Sequence, residues 1–278
     1  MKNFKKITAL FLSLILFFGL ICPCHADNGK INYLLLGDSI AKGAGIYNSS
    51  EACYGRIVAD TNGYDYANYA VNGHRTTDLL SRLNDQTVIS AVEEADIISI
   101  SIGGNNFLQQ NLPQLYAEYL VHNEKTVNDI EEIFFEEFSE IMEIIKTRNP
   151  DALILMQTLY NPRSDLLRNF YDLAVIRINR SIYRYLDENP GAFEIIDVHS
   201  VFTADHPEYI ALDTIHPSAV GNEVIAELIT DKISELNASA GNNIIINKRG
   251  IDQIPFMSRV LKFFRDIIQK IIDLFDIA

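Results

Sequence analysis

The sequence is poor in basic residues and contains no tryptophan. It has 23 Lys and Arg residues against 37 Asp and Glu residues, which gives a formal net charge of -14. Such a charge opposes binding to nucleic acid and to anionic membrane surfaces. The absence of Trp weighs against a cleft built from aromatic platforms for sugars. The chain also shows no internal repeat.

Patterns that bind metal are lacking as well. The sequence has no His-Glu-x-x-His motif and only 3 cysteines, so a zinc enzyme is not favoured. We expect no metal and no cofactor. Four further histidines are predicted to be structural or solvent-facing, and the first of them, which follows Gly73, is the candidate for lining a cleft: His74, His122, His199 and His206.

Residues 1–26 have the pattern of a secretory signal peptide. Three lysines precede an apolar core at residues 7–21, and small residues occupy the usual cleavage positions. The core is short for a membrane span, and Cys22 and Cys24 do not lie in a convincing lipoprotein cleavage box. We expect cleavage before Asp27 and a secreted or extracellular protein in which only Cys53 remains. Without an internal disulfide, this fold must depend on its hydrophobic core.

Apolar runs alternate with helical patterns over residues 27–237. Strands are predicted at residues 31–36, 64–70, 95–102, 152–159 and 193–198. Helices are predicted at residues 53–61, 77–83, 130–145, 166–186 and 218–236. This alternation indicates one α/β domain with a parallel sheet and helices on both faces.

Two further regions carry apolar patterns. Residues 107–126 follow the third strand and predict either a lid or acyl-binding wall, or a surface helix packed on the domain. Residues 238–254 resemble a linker, and residues 255–278 predict an amphipathic C-terminal helix. That helix would pack on the domain, pair with a second copy, or contact a membrane surface or cell wall.

Ser39 follows the first predicted strand, in the sequence Gly37-Asp38-Ser39. Ligands of open α/β sheets bind at the carboxyl ends of the strands, although Asp and Ser also serve as ordinary turn residues. A serine nucleophile needs a neighbouring base. His216 is the best candidate, because Asp213 can reach its Nδ1 within a tight turn and leave Nε2 facing Ser39.

Three groups at the ends of predicted strands could bind the oxyanion of a tetrahedral intermediate. They are the backbone N–H groups of Ser39 and Gly73 and the side-chain amide of Asn105. Donors of this kind contribute about 3 to 4 kcal/mol each to catalysis. Each segment alone is also explained by an ordinary turn, and only their combination predicts a site.

In combination, these segments resemble the four signature blocks of the SGNH hydrolase superfamily, also called GDSL lipases and esterases. The resemblance spans about residues 31–236, and its blocks are Gly37-Asp38-Ser39, Asn72-Gly73, Gly103-Gly104-Asn105-Asn106 and Asp213-Thr214-Ile215-His216. It implies a flavodoxin-like three-layer sandwich with about five parallel strands. It also implies Ser39 as nucleophile, His216 as base, Asp213 as orienting acid, and an oxyanion hole from Ser39, Gly73 and Asn105.

One position departs from that resemblance. The third block commonly reads Gly-x-Asn-Asp, and here Asn106 replaces the Asp. Because the implied donor is Asn105, we expect Asn106 to alter the hydrogen bonds around the site rather than to abolish activity.

The sequence therefore predicts an exported, metal-independent serine esterase that forms an acyl-enzyme on Ser39. The lipase-like members of the family and the apolar residues 107–126 favour lipid-derived or short acyl esters. Two alternatives stay open: a carbohydrate O-deacetylase of the same superfamily, and a non-catalytic surface-binding protein on the same fold. An α/β-hydrolase is not favoured, because Ser39 lacks the second Gly of Gly-x-Ser-x-Gly.

Overall fold

Parallel strands form the central sheet of the computed structural model, which describes residues 30–240. The strands within this range are β1 Asn32–Gly37, β2 Asp65–Asn68, β3 Ile97–Ser101, β4 Leu153–Gln157 and β5 Glu194–Ile196. Their order is β2-β1-β3-β4-β5, and every neighbouring pair is parallel. The predicted α/β class with about five parallel strands is confirmed.

Helices connect the strands. In chain order they are α1 Ser39–Lys42, α2 Ser49–Ala52, α3 Tyr54–Asn62, α4 Thr76–Arg82, α5 Gln86–Glu94, α6 Gly104–Leu108, α7 Leu112–Leu120, α8 Lys125–Arg148, α9 Arg168–Glu188, α10 Val198–Val201 and α11 Ala219–Ala240, with a 3-10 turn at Pro207–Tyr209. Within residues 30–240, no helix is long and apolar enough to cross a membrane.

The two faces of the sheet carry separate hydrophobic cores. Successive side chains of a strand point to opposite faces, so Leu34 and Leu36 enter one core while Tyr33 and Leu35 enter the other. The first core packs against α4, α5, α8 and α9, and the second packs against α3 and α11. Burial on both faces explains why the strands read as continuous apolar runs.

The side of the sheet to which successive strands are added changes after β2, although all strands stay parallel. From β1 the chain moves to the edge strand β2, and it then returns past β1 to β3, β4 and β5. In open α/β sheets such a change of side opens a crevice at the carboxyl ends of the two strands between which it occurs, here β1 and β3. Ser39 is the second residue after β1, and Asn105 lies in the helix that follows β3.

Some boundaries differ from those predicted. Helix α5 was not predicted, although its buried residues Val88, Ile89 and Val92 lie at helical spacing. Helix α11 continues to Ala240, three residues into the predicted linker. The predicted signal peptide (residues 1–26), the remainder of the linker and the predicted amphipathic helix (residues 255–278) lie outside the described residues.

Gly37 provides a test of how β1 ends. Its φ is +128°, and a Cβ placed there would lie 1.9 Å from the carbonyl oxygen of Ser101 on β3. Gly63 also has a positive φ, +72°, but a Cβ there would meet no atom within 4 Å. We therefore expect Gly37→Ala to lower the free energy of unfolding by roughly 3 kcal/mol or more, and Gly63→Ala to lower it by about 1 kcal/mol.

Urea denaturation of the two variants measures this difference. Equal losses of stability would show that the close contact between Gly37 and Ser101 does not constrain the end of β1.

Candidate active site

Ser39 is presented at the carboxyl edge of the sheet by a sharp turn after β1. The backbone N–H of Asp38 donates to the carbonyl oxygen of Ser101 at 3.0 Å, which holds the turn against β3. The Asp38 Oδ1 then accepts the N–H of Ile40 at 2.9 Å and caps α1. Ser39 is the first residue of that helix and is only partly buried, so its hydroxyl is accessible.

His216 and Asp213 lie beside Ser39. The Nε2 of His216 is 2.9 Å from the Ser39 Oγ, and its Nδ1 is 2.7 Å from the Asp213 Oδ2. Because a carboxylate only accepts, Nδ1 carries the proton in this hydrogen bond and Nε2 is free to accept from the serine. The structure thus brings together the three residues that were predicted to act as nucleophile, base and orienting acid.

Asp213 is held as a carboxylate by the turn in which it lies. Partial burial raises its pKa, but hydrogen bonds from the His216 ring and from the backbone N–H groups of His216 and Ile215 outweigh that effect and lower the pKa to about 2. Both backbone donors lie 3.0 Å from the Asp213 Oδ1. The carboxylate is therefore ionised and correctly oriented throughout the neutral pH range.

Two residues that were not predicted hold this turn from outside. Thr214 has a φ of +61°, a left-handed conformation that is strained for a β-branched residue. The Arg163 Nη1 donates to the Thr214 Oγ1 at 3.1 Å, and the Tyr160 hydroxyl donates to the carbonyl oxygen of Ile215 at 2.7 Å. The loop after β4 therefore fixes the strained turn.

The predicted oxyanion donors follow the adjacent strands β1, β2 and β3. Gly73 has a φ of +82°, and its carbonyl oxygen accepts from the side chain of Gln109. The Asn105 Nδ2 donates to the carbonyl oxygen of His74 at 3.0 Å, which joins the loops after β2 and β3. Asn105 and Ser39 line the same pocket.

That pocket is apolar and opens to solvent. Its apolar wall beside Ser39 includes Phe107, Leu108, Leu159 and Ile178. Ser39, Asn105 and Asp38 supply polar groups at its edge. The shape and polarity suit an apolar group attached to a carbonyl that lies at Ser39.

Residues 107–126 contribute to this pocket in two layers. Phe107 and Leu108 line it directly. Helix α7 lies behind them: the rings of Tyr116 and Tyr119 pack on Phe170 at centroid distances of 5.3 and 5.6 Å, and Phe170 in turn contacts Phe107 at 5.3 Å. The segment therefore combines a pocket wall with a surface helix packed on the domain.

The remaining histidines do not converge on a metal site. Within the part of the chain that the structure describes, no group of three or more His, Cys, Asp or Glu side chains could hold a metal ion. His206 pairs with Glu208 at 3.1 Å and stacks on Tyr209. Burial lowers the pKa of His74, which favours its neutral form.

The chain is similar to several known proteins. The profile of the GDSL-like Lipase/Acylhydrolase family matches residues 35–224. The uncharacterized protein YpmR of Bacillus subtilis is 28% identical over 214 residues, which cover 72% of this chain and 80% of that protein. The spore germination lipase LipC of Bacillus licheniformis is 26% identical over 209 residues, which cover 71% of this chain and 93% of that protein.

A solved structure shares the fold. The lipase Lip_vut3 from a goat rumen metagenome superposes with a TM-score of 0.61 at 24% identity, and the match covers 77% of this chain and 100% of that one. This likeness supports the three-layer α/β arrangement.

Asp38 provides a pH test of the site. It is 2% exposed, and burial raises its pKa to about 7 despite the hydrogen bond from Ile40 and the nearby His216. In the unfolded chain this carboxyl ionises at about pH 4. Between these two pH values the folded protein holds a proton that the unfolded chain has released, so Asp38 makes the free energy of unfolding fall as the pH rises.

We therefore expect Asp38→Asn, which keeps an oxygen to cap α1, to gain stability relative to the original protein as the pH rises from about 4 to about 7. The gain can reach about 1.4 kcal/mol per pH unit. Urea unfolding at several pH values measures it. Asp85→Asn is the control, because a hydrogen bond from Thr87 lowers the pKa of that exposed N-cap below this window. A difference between Asp38→Asn and the original protein that stays constant with pH would contradict the burial argument.

Proposed function

Since the chain belongs to the GDSL-like lipase/acylhydrolase family, we propose that it hydrolyses carboxylic esters through an acyl-enzyme on Ser39. The observation that carries the proposal is the hydrogen-bonded series from Ser39 to His216 at 2.9 Å and from His216 to Asp213 at 2.7 Å. A base in contact with the hydroxyl, itself oriented by a carboxylate, is the arrangement that activates a serine.

The first half of the reaction forms the acyl-enzyme. The Ser39 Oγ attacks the ester carbonyl carbon while its proton passes to the His216 Nε2. The N–H groups of Ser39 and Gly73 and the Asn105 amide would donate to the oxyanion. The intermediate collapses when its bond to the alcohol oxygen breaks, and His216 gives its proton to that oxygen. The alcohol leaves, and the acyl group stays on Ser39.

The second half regenerates the serine. Water attacks the acyl carbon while His216 takes one of its protons, and the same donors bind the second oxyanion. The bond to the Ser39 Oγ then breaks, and His216 returns the proton to this oxygen. The carboxylic acid is released. Asp213 stabilises the imidazolium that forms in each half, and its low pKa keeps it ionised.

The pocket supports a substrate with an apolar acyl group. The mainly apolar wall beside Ser39 can contact an acyl chain, and each methylene buried there contributes about 0.8 kcal/mol. An acetyl group has a single methyl to bury against this wall, which favours longer acyl chains over carbohydrate deacetylation. The name of one relative, a spore germination lipase, agrees with acyl esters of lipid type. A purely binding protein would have no need for a base that contacts the serine.

The pattern of residues 1–26 supports export of this enzyme, and that of residues 255–278 supports contact with the domain, a second copy, or a membrane or cell-wall surface. We expect the exported chain to begin at Asp27. N-terminal sequencing of the protein from the medium measures this, and a chain that begins at Met1 would contradict it.

Hydrolysis of a chromogenic ester series from acetyl to long acyl chains tests the reaction. We expect Ser39→Ala to lower kcat by roughly 10⁶-fold, because the nucleophile is lost while the binding pocket stays. Ser90→Ala, which removes a hydroxyl from α5, is the control and should keep full activity. We expect esters with acyl chains longer than acetyl to have the higher kcat/KM. Undiminished turnover by Ser39→Ala would disprove the mechanism, and a preference for acetyl esters would favour the deacetylase.

A further inference from the structure

Asn106 takes part in a buried polar network next to the oxyanion donors. It is 5% exposed, and it contacts Thr76, which is fully buried at the start of α4. The backbone N–H of Thr76 lies 3.2 Å from the Asn106 Oδ1, and the Asn106 Nδ2 lies 2.6 Å from the Thr76 Oγ1. Asn106 therefore joins the first residue of α4 to α6, the helix after β3.

The direction of each hydrogen bond follows from the groups themselves. A backbone N–H can only donate, so the Asn106 atom that faces it must be the amide oxygen. The amide nitrogen then faces the Thr76 hydroxyl and donates to it. Because the single proton of that hydroxyl is not needed in this contact, it must go to another acceptor. A buried hydroxyl proton without an acceptor would cost about 1 to 3 kcal/mol.

Glu137 on α8 supplies that acceptor. Its Oε2 accepts from the Thr76 hydroxyl, and its Oε1 lies 2.6 Å from the Thr77 hydroxyl, which also donates. A carboxylate suits this position because it has two oxygens and only accepts. An Asp at position 106 would itself accept the hydroxyl proton of Thr76. Because Asn106 donates to that hydroxyl instead, the proton requires a second acceptor, which is Glu137.

The network borders the two predicted oxyanion donors that do not belong to the nucleophile. Asn105 directly precedes Asn106, and Gly73 lies three residues before Thr76 in the loop that leads to α4. The Asn105 amide already bonds to the carbonyl oxygen of His74 in that loop at 3.0 Å. The hydrogen bonds between Thr76 and Asn106 therefore help to set the distance between Gly73 and Asn105.

We propose that Glu137 is a positioning residue for the oxyanion hole. By accepting the hydroxyl proton of Thr76, Glu137 completes the link that Asn106 makes between the two donor segments. The inference rests on the proposed esterase function. It assigns to α8, a helix outside the four signature segments, a part in transition-state stabilisation.

Four variants test this role. Glu137→Met removes the acceptor, and Glu137→Gln keeps one oxygen that can face Thr76. Asn106→Asp places two carboxylates around one hydroxyl proton, and the double variant Asn106→Asp/Glu137→Met again has a single acceptor for it. Glu136→Met is the matched control, because it removes an exposed Glu from the same helix.

We expect Glu137→Met and Asn106→Asp each to lower kcat about tenfold or more on the preferred ester with little change in KM, since the oxyanion exists only on the reaction path. Glu137→Gln and Glu136→Met should stay within about threefold of the original kcat. The double variant should recover most of the activity lost in either single variant. Such recovery cannot come from independent damage to stability, because independent losses add. Thermal unfolding shows that each variant is folded.

Two results would overturn the inference. One is an unchanged kcat for Glu137→Met in a protein whose original form hydrolyses esters. The other is a double variant at least as impaired as the worse single variant. If the original protein hydrolyses no ester in the series, the proposed function fails, and this inference fails with it.

Discussion

The parallel register between β1 and β3 determines where the groups of the site lie. Gly37 pairs with Ser101, so the two strands end at the same level. The chain after β1 then passes close enough to β3 for Asp38 to donate to the carbonyl oxygen of Ser101. From this shared edge one strand leads to Ser39 and the other to Asn105. The chemistry of the site therefore depends on a backbone contact that tolerates no side chain at Gly37.

Two carboxyl groups near Ser39 have opposite environments. Asp213 is hydrogen-bonded by the ring and backbone of the residues it orients, and its pKa falls to about 2. Asp38, the residue before Ser39, is buried, and its pKa rises to about 7. Asp213 is therefore ionised beside the His216 ring, while Asp38 caps α1 at a lower cost in buried charge. Burial and hydrogen bonding thus give two aspartate side chains of the same site very different pKa values.

The sequence was sufficient to predict the strands and the segments that carry the site. Buried parallel strands leave long apolar runs, and the polar residues that end them stand out, so Ser39, Gly73, Asn105, Asp213 and His216 could be named beforehand. Their catalytic roles remain predictions. Arg163, Tyr160 and Glu137 could not be found in this way, because their contacts join residues far apart in the chain. The left-handed conformation of Thr214 could not be predicted from the sequence either, since β-branched residues rarely adopt it. Helix α5 was not predicted, although its apolar residues lie at helical spacing in the sequence.

The most direct test of the account is covalent labelling with a fluorophosphonate, which reacts with activated serines by displacement of fluoride. The full chain is incubated with the reagent, and the modified residue is located by peptide mass spectrometry. We expect one adduct, on Ser39, and strongly slowed labelling in His216→Ala, in which the base is absent. An unlabelled Ser39 in the folded protein, or equally fast labelling without His216, would contradict the claim that the series Ser39–His216–Asp213 activates this serine.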